Sequence, residues 1–200
     1  MSRVTCHMSM SLDGFVAGPN QSLENGLGER GIEMHRWHLD REDMHEADAA
    51  ATDELMRPMG AYVMGRNMFA PTRGPWTEDW KGWWGDEPPY HAPVFVLTHH
   101  EREPVEMAGN TTFYFVTEGF DAAFARAKEV AGDMDIDIAG GASTVRQSFQ
   151  AGVIEDLFLD IIPTLLGSGE DMFEGISPVP LTQVSVTHSP IALHVHYRVG

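Results

Sequence analysis

The stretch AYVMGRNMF, residues 61–69, carries four apolar or small residues into a glycine, an arginine and a short helix-forming tail. A buried strand that ends on glycine and turns at once into a helix is the repeating unit of a layered α/β sheet. Such a junction offers unpaired backbone N–H groups and the positive end of a helix dipole. Its glycine has no Cβ to keep an anion from the backbone. The same device recurs at IDIAGGAST, residues 136–144. Two of them at the carboxyl ends of strands can face one crevice. One strand–glycine–helix turn more often just redirects the chain, so neither argues alone. Neither matches GxGxxG or GxxxxGK[ST], and Gly167-Ser168-Gly169 is no substitute.

Outward from these junctions, residues 3–13 alternate, with Val4, Cys6, Met8, Met10 and Leu12 on one face and polar residues on the other. That predicts a strand with one apolar face. DGFVAGPNQ carries turn chemistry, and residues 42–57 read as a helix on the spacing of Met44, Ala47, Ala51 and Leu55. The helix after Gly65 is expected to stop at Pro71. PVFVLTH (93–99), TFYFVT (112–117) and IEDLFLDIIP (154–163) read as strands. Phe120, Ala123, Phe124, Ala127 and Val130 mark a helix ended by Gly132, and 142–151 a second with Val145 and Phe149 inward. Two alternating runs broken at Ser189-Pro190 predict a C-terminal antiparallel hairpin. The sum is a single domain over 1–200. It is read as a three-layer α-β-α sheet, mostly parallel with antiparallel C-terminal strands.

The bulk properties narrow the function. Thirteen basic against thirty acidic residues give a net charge of −17, a field that opposes nucleic acid and anionic membranes. An anionic ligand would need a local exception, which directs attention to arginines beside glycines. There is one cysteine, Cys6, and hence no internal disulfide or CxxC pair. No apolar run is long enough for a membrane helix and the N-terminus shows no signal-peptide core, so a cytoplasmic protein is expected.

In order along the chain, MSLDGFVAG, VMGR, WGDEPPYHAPVFVLTHH, IAGGAS and IIPTLLGSG resemble the dihydrofolate reductase superfamily. The resemblance is to its branch containing the reductase domain of the bifunctional riboflavin-biosynthesis deaminase-reductase, here as a stand-alone reductase domain. It runs from residue 4 to about 198. It implies a dihydrofolate-reductase-like mixed sheet that binds NADPH and transfers hydride to a small heterocycle or carbonyl. Gly65, Arg66 and Asn67 would then meet the phosphates of the adenosine half. Leu97, Thr98 and His99 would receive the 2′-phosphate, and Gly140, Gly141, Ala142 and Ser143 would cradle the pyrophosphate. Ser11, Asp13, Gly14 and Phe15 would lie beside the nicotinamide, with Asp13 the candidate catalytic residue. Met68 stands where many relatives carry threonine. Phe15 stands where the riboflavin enzymes usually carry a basic residue, which predicts a flat neutral guest over a sugar phosphate.

Other residues have plainer readings beside the functional ones. Asp13 in LDG can equally cap its own turn. Four of five tryptophans fall within residues 76–84, and this loop is read as a wall of the substrate pocket, with Trp84 as a contact. A hydrophobic cap on the sheet is the alternative. His35, His38 and His45 among acidic residues suggest a metal site, but a solvated helix start fits their spacing better, and no metal is expected. His194 and His196 share a strand face, most simply a polar one. The resemblance also implies a homodimer through the C-terminal strands. Two other classes stay open: a non-catalytic NADP(H) sensor and an acidic structural dimer.

Overall fold

The computed structural model describes residues 2–40, 42–70, 72–76 and 79–200. Its strands are β1 (Val4–Ser11), β2 (Phe15–Ala17), β3 (Ala61–Gly65), β4 (Pro93–Leu97), β5 (Val105–Glu106) and β6 (Thr112–Val116). They continue with β7 (Ile136–Gly140), β8 (Asp156–Ile162), β9 (Glu170–Asp171), β10 (Leu181–His188) and β11 (Leu193–Val199). The α-helices are α1 (Arg36–Leu39), α2 (Glu46–Leu55), α3 (Arg66–Phe69), α4 (Phe120–Ala131) and α5 (Ala142–Gln150). No helix among the described residues is long and apolar enough to cross a membrane.

Nine strands form one sheet in the order β10-β11-β8-β1-β7-β3-β4-β6-β5. The six from β8 to β6 run parallel, while β11 and β10 at one edge and β5 at the other are antiparallel. Helices α4 and α5 cover one face, burying Phe120, Ala123, Ala127, Val145 and Phe149 against Cys6, Met8, Val63, Ile136 and Leu157. The opposite face is covered by α1 and α2 at one end and by the aromatic segment before β4 at the other. This is the expected three-layer arrangement.

The structure corrects several local expectations. GFVAG is more than a turn, since β2 pairs antiparallel with β9 in a small second sheet. The two-residue strand β5 was too short to leave a period. Helix α2 begins at Glu46, later than expected, because the His45 ring nitrogen accepts from the Ala47 amide at 3.2 Å and caps it. Val130 of α4 is exposed and Ala131 takes the inward position. Leu12 lies beyond the end of β1 and is exposed. Helix α3 ends at Phe69, and the expected stop at Pro71 lies outside the described residues.

The largest departure is on β1, where the polar face is buried as well as the apolar one. Thr5, Ser9 and Ser11 are all buried there. Buried polar groups are tolerable only when hydrogen-bonded, and the neighbouring strands supply the partners. Asp160 of β8 bridges two imidazoles, His7 Nε2 at 2.9 Å and His194 Nδ1 at 2.7 Å. His194 Nε2 in turn meets Asp48 of α2 at 2.9 Å. Trp37 of α1 donates its indole N–H to Ser9 at 2.9 Å. His196 pairs with Asp156 at 2.7 Å, and the Thr5 hydroxyl donates to Asp137 at 2.9 Å. Of the polar sheet face expected from His194 and His196, His194 docks α1 and α2 through Trp37 and Asp48, while His196 pairs with Asp156 and stacks on Phe158.

This docking carries a pH signature. Burial works against a charged His194, but its hydrogen bonds to Asp160 and Asp48 outweigh that and raise its pKa above the usual 6.5. A raised pKa adds stability that is complete below pH 6.5 and is lost as pH climbs through the folded value. Burial pushes Asp137 up to about 6, so its titration is finished before that window closes. Urea midpoints measured from pH 7 to 9 should fall with pH in the native sequence and fall less in His194→Asn. Equal slopes would show that His194 is neutral in the fold.

Candidate active site at the carboxyl edge of the sheet

The strands β1, β7, β3 and β4 are consecutive in the sheet and parallel. They therefore end on the same edge, bringing together Ser11–Phe15, Gly140–Ser143, Gly65–Asn67 and Leu97–His99. Segments spread over more than a hundred positions form one continuous row at the place where α/β sheets bind ligands.

The two glycine junctions touch. A Cβ added to Gly65 would lie 2.6 Å from the Thr144 hydroxyl and 3.6 Å from the Gly141 amide nitrogen. Gly65 has φ −88°, so its glycine is required by this approach and not by backbone conformation. Gly140 has φ +108° and is joined to Gly141 by a cis peptide. A Cβ on Gly141 would meet nothing within 4 Å, so its surface is open. No side chain caps α5 and its first turn has no acid, leaving an N-terminus suited to an anion. Ala142 is buried there and Ser143 exposed. The junctions are unequal, however. At four residues α3 is too short for a useful dipole. The Met68 sulfur, on α3, lies 3.6 Å from the position a Cβ would take on Gly140.

Arg66 leans away from the glycines. Its guanidinium carbon lies 3.1 Å from the centre of the Trp76 ring and its Nη2 donates to the Thr72 carbonyl at 2.9 Å. Its Nε and Nη1 are buried with no partner among the described residues. Burial, reinforced by nearby Arg102, pushes its pKa down to about 10. Asn67 is exposed beside it. Leu97 is half-buried and His99 exposed, but the Thr98 hydroxyl is buried and accepts from the His100 amide at 3.2 Å. Thr98 therefore closes its own turn. An open cavity of about 540 Å³ adjoins this corner, lined by Pro75, Trp76, His99, His100, Glu101 and Thr117.

At the other end of the row, the Ser11 hydroxyl donates to Asp13 at 2.6 Å and accepts from the Phe15 amide at 3.0 Å. Asp13 also accepts from the amides of Leu166 at 3.1 Å and Gly167 at 2.7 Å. These donors, the Ser11 hydroxyl foremost, lower its pKa, so it is a carboxylate at neutral pH with no proton to donate. Asp13 does not cap its own turn, where the Phe15 amide goes to the Ser11 hydroxyl; its carboxylate ties that turn to the loop at Leu166 and Gly167. Gly14 adopts φ +91° and its carbonyl accepts from Met172 at 3.0 Å, while Phe15 is half-buried in β2.

Trp84 is not in this row. It packs on Tyr90 and Phe113 with ring centres 5.1 and 5.9 Å away, inside the aromatic layer over β3, β4 and β6. Trp80 and Trp76 anchor the same layer through indole N–H bonds to the Phe69 and His100 carbonyls. The tryptophans are thus chiefly the cap considered as the alternative. Trp83 reaches the loop after β2, packing on Gly26. Two participants went unread. One is the Gly167 amide, inside a motif dismissed as a phosphate loop. The other is Arg102, a lone cation among acids just past the LTHH turn.

Residues 2–195 match the family described as the RibD C-terminal domain. No curated protein matches the chain significantly. Among solved structures, a Shewanella sp. PV-4 protein provisionally assigned to riboflavin biosynthesis is 20% identical, with a TM-score of 0.66 over 100% of this chain and 99% of that one. Acinetobacter baumannii RibD is 14% identical with a TM-score of 0.63, and the match spans 100% of this chain but 58% of that one. The riboflavin biosynthesis reductase Rib7 of Saccharomyces cerevisiae is 15% identical, with a TM-score of 0.57 over 100% and 90%. At these identities the structural likeness speaks for the fold.

Two substitutions test the geometry. Gly65→Ala should drive a methyl into Thr144 and destabilise the fold by about 1–3 kcal/mol, as overpacking does. Its denaturant midpoint should fall accordingly, and an unchanged midpoint would show that the junctions have room. Asp13→Asn should lower the melting temperature and speed amide exchange at Leu166 and Gly167. A purely catalytic Asp13 would leave both unchanged.

Proposed function

The chain belongs to the RibD C-terminal domain family, and on that premise we propose that it is an NADPH-dependent reductase of the riboflavin-biosynthesis reductase type. Its acceptor would be a small, flat, uncharged heterocycle or carbonyl. The observation that carries this reading is the contiguous row at the ends of β1, β7, β3 and β4. It pairs a roomy glycine cradle with a guanidinium whose Nε and Nη1 have no partner among the described residues.

These features fit the cofactor. Gly141 and the α5 N-terminus would hold the pyrophosphate, and Arg66 would meet phosphate at the adenosine end beside His99. NADPH, when bound, would supply the hydride, while the protein orients the partners and excludes water. The Ser11–Phe15 turn, pinned by Asp13 to the loop at Leu166 and Gly167, would form a fixed floor beside the reacting ring.

The acceptor class follows from charge. Phe15 pairs through its backbone with Asp171, and Glu170 and Glu174 stand close by in sequence. Arg146 spends its guanidinium on the Asp171 carbonyl and lies 3.9 Å from Glu174. An added phosphate would meet like charges there, and desolvating it without a free cation costs several kcal/mol. A neutral ring stacked on Phe15 would gain roughly 0.5–1.5 kcal/mol beyond area burial. The rival reading, a non-catalytic NADP(H) sensor, draws support from the hydrogen bonds of Ser11, Leu166 and Gly167 to Asp13, which keep that residue ionised. Incubation with NADPH and a panel of pterins, pyrimidines and small ketones separates the two. Stoichiometric NADPH oxidation with one acceptor is expected. Binding without oxidation across the panel favours the sensor, and efficient turnover of the phosphoribosylamino-pyrimidine would overturn the neutral acceptor.

The protein is also proposed to pair with a second copy through β10. Every residue of this edge strand is exposed, including Leu181, Val184 and Val186. An open, uncharged, partly apolar edge invites strand pairing. Sedimentation at micromolar concentration should show a dimer. A single species at the chain mass of 22.2 kDa would refute the pairing.

A further inference from the structure

Arg146 lies in the second turn of α5, the helix that begins at the glycine cradle. Its side chain is 22% exposed, and its Nη1 donates to the backbone carbonyl of Asp171 in β9. The same nitrogen lies 3.9 Å from the Glu174 carboxylate. Asp171 stands opposite Phe15 in the pairing of β9 with β2. Its carboxylate accepts from the amides of Phe173 at 2.7 Å and Glu174 at 3.0 Å, closing a turn beside the carbonyl that Arg146 holds. Met172, wholly buried in the main core, donates its amide to the Gly14 carbonyl at 3.0 Å. One guanidinium thus joins α5 to the segment that holds Gly14 and Phe15 in place.

A guanidinium suits this span. Its rigid fork fixes the direction of the bond, and a charged donor binds a carbonyl more strongly than a neutral one. Among the described residues, the other hydrogen bonds of 170–174 run to β2 and its turn, to the segment's own turn, and from Glu170 to Arg73 at 3.2 Å. Arg73 is 68% exposed, and an exposed pair of that kind contributes little. Arg146 is therefore the firm side-chain tie between this segment and α5. A helix whose first amides are held by a phosphate loses freedom, and what the helix grips loses freedom with it. Resting on the cofactor reading above, we infer that Arg146 is a positioning residue, carrying the ordering of α5 by bound cofactor to the Ser11–Phe15 floor of the acceptor site. It acts through Asp171 and the backbone of β2.

Amide hydrogen exchange with and without NADPH tests this, and no acceptor is needed. In the native protein, saturating NADPH should slow exchange at the Phe15 and Met172 amides about fivefold or more, the size of an ordinary coupling between sites. Arg146→Met keeps an apolar stem and removes the fork. NADPH should still bind to it by calorimetry, while the slowing at both amides is lost. Arg146→Lys should restore part of the slowing. Urea midpoints establish that each variant folds, and if Arg146→Met does not, Arg146→Gln carries the same comparison. A merely structural pin would quicken exchange equally with and without NADPH, leaving the native ratio unchanged in the variants, and that result overturns the inference. Native protein that binds NADPH without slowing either amide also overturns it and leaves the cofactor reading standing. Failure of the native protein to bind NADPH overturns both.

Discussion

The contact of Gly65 with Thr144 is the constraint on which the candidate site depends. Because no Cβ intervenes, the end of β3 can lie against the first turn of α5, and the two glycine turns become one surface. A larger residue would separate them by the width of a methyl group and tilt α5 away from β3. The adjacency of β1 to β7 and of β4 to β3 then extends the surface to four strand ends. The site is therefore a property of strand order, and its side chains refine what the backbone has already assembled.

Charge works at two scales in this molecule. Globally the chain repels anions, with a net charge of −17. Locally, two arginines sit against aromatic rings whose π faces, unlike water, cannot accept most of their hydrogen bonds. Lowering the dielectric around a cation makes it a stronger partner for a phosphate that arrives, since competition from solvent is removed. The opposite solution appears on the far part of the sheet, where Asp160 and Asp48 are matched by imidazoles and saturated. Saturated charges hold helices in place, while the arginines keep buried nitrogens unpaired among the described residues.

Much of the fold was legible because its signals are local. Strand–glycine–helix turns, the alternation of Ile191 to Val199 and the helical spacing of Phe120 to Ala127 need only neighbours along the chain. What escaped detection depends on partners distant in sequence. The polar face of β1 reads as solvent-facing because Asp160 and His194, which bury it, come about 150 to 190 residues later. Trp84 reads as a pocket contact because nothing nearby announces its stack on Phe113. Asp13 shows the same limit, since LDG looks alike whether its carboxylate faces a substrate or the Gly167 amide. Arg102 lacked any periodic or motif context, and only the shared Trp76 ring reveals its company.

The central place of β1 between β7 and β8 also shapes how the chain reaches this fold. Its partners begin at Ile136 and Asp156, so β1 has no sheet neighbour until some 130 further residues have been synthesised. At synthesis rates of about 5–20 residues per second, Cys6, Met8 and Met10 stay uncovered on the order of ten seconds. Pairings of such long range are intrinsically slow to form. The aromatic unit around β3, β4 and β6 can assemble earlier from nearer segments. The topology thus lets the cap over Phe113 form from nearby segments, whereas the edge that carries the glycine turns needs β7 between β1 and β3.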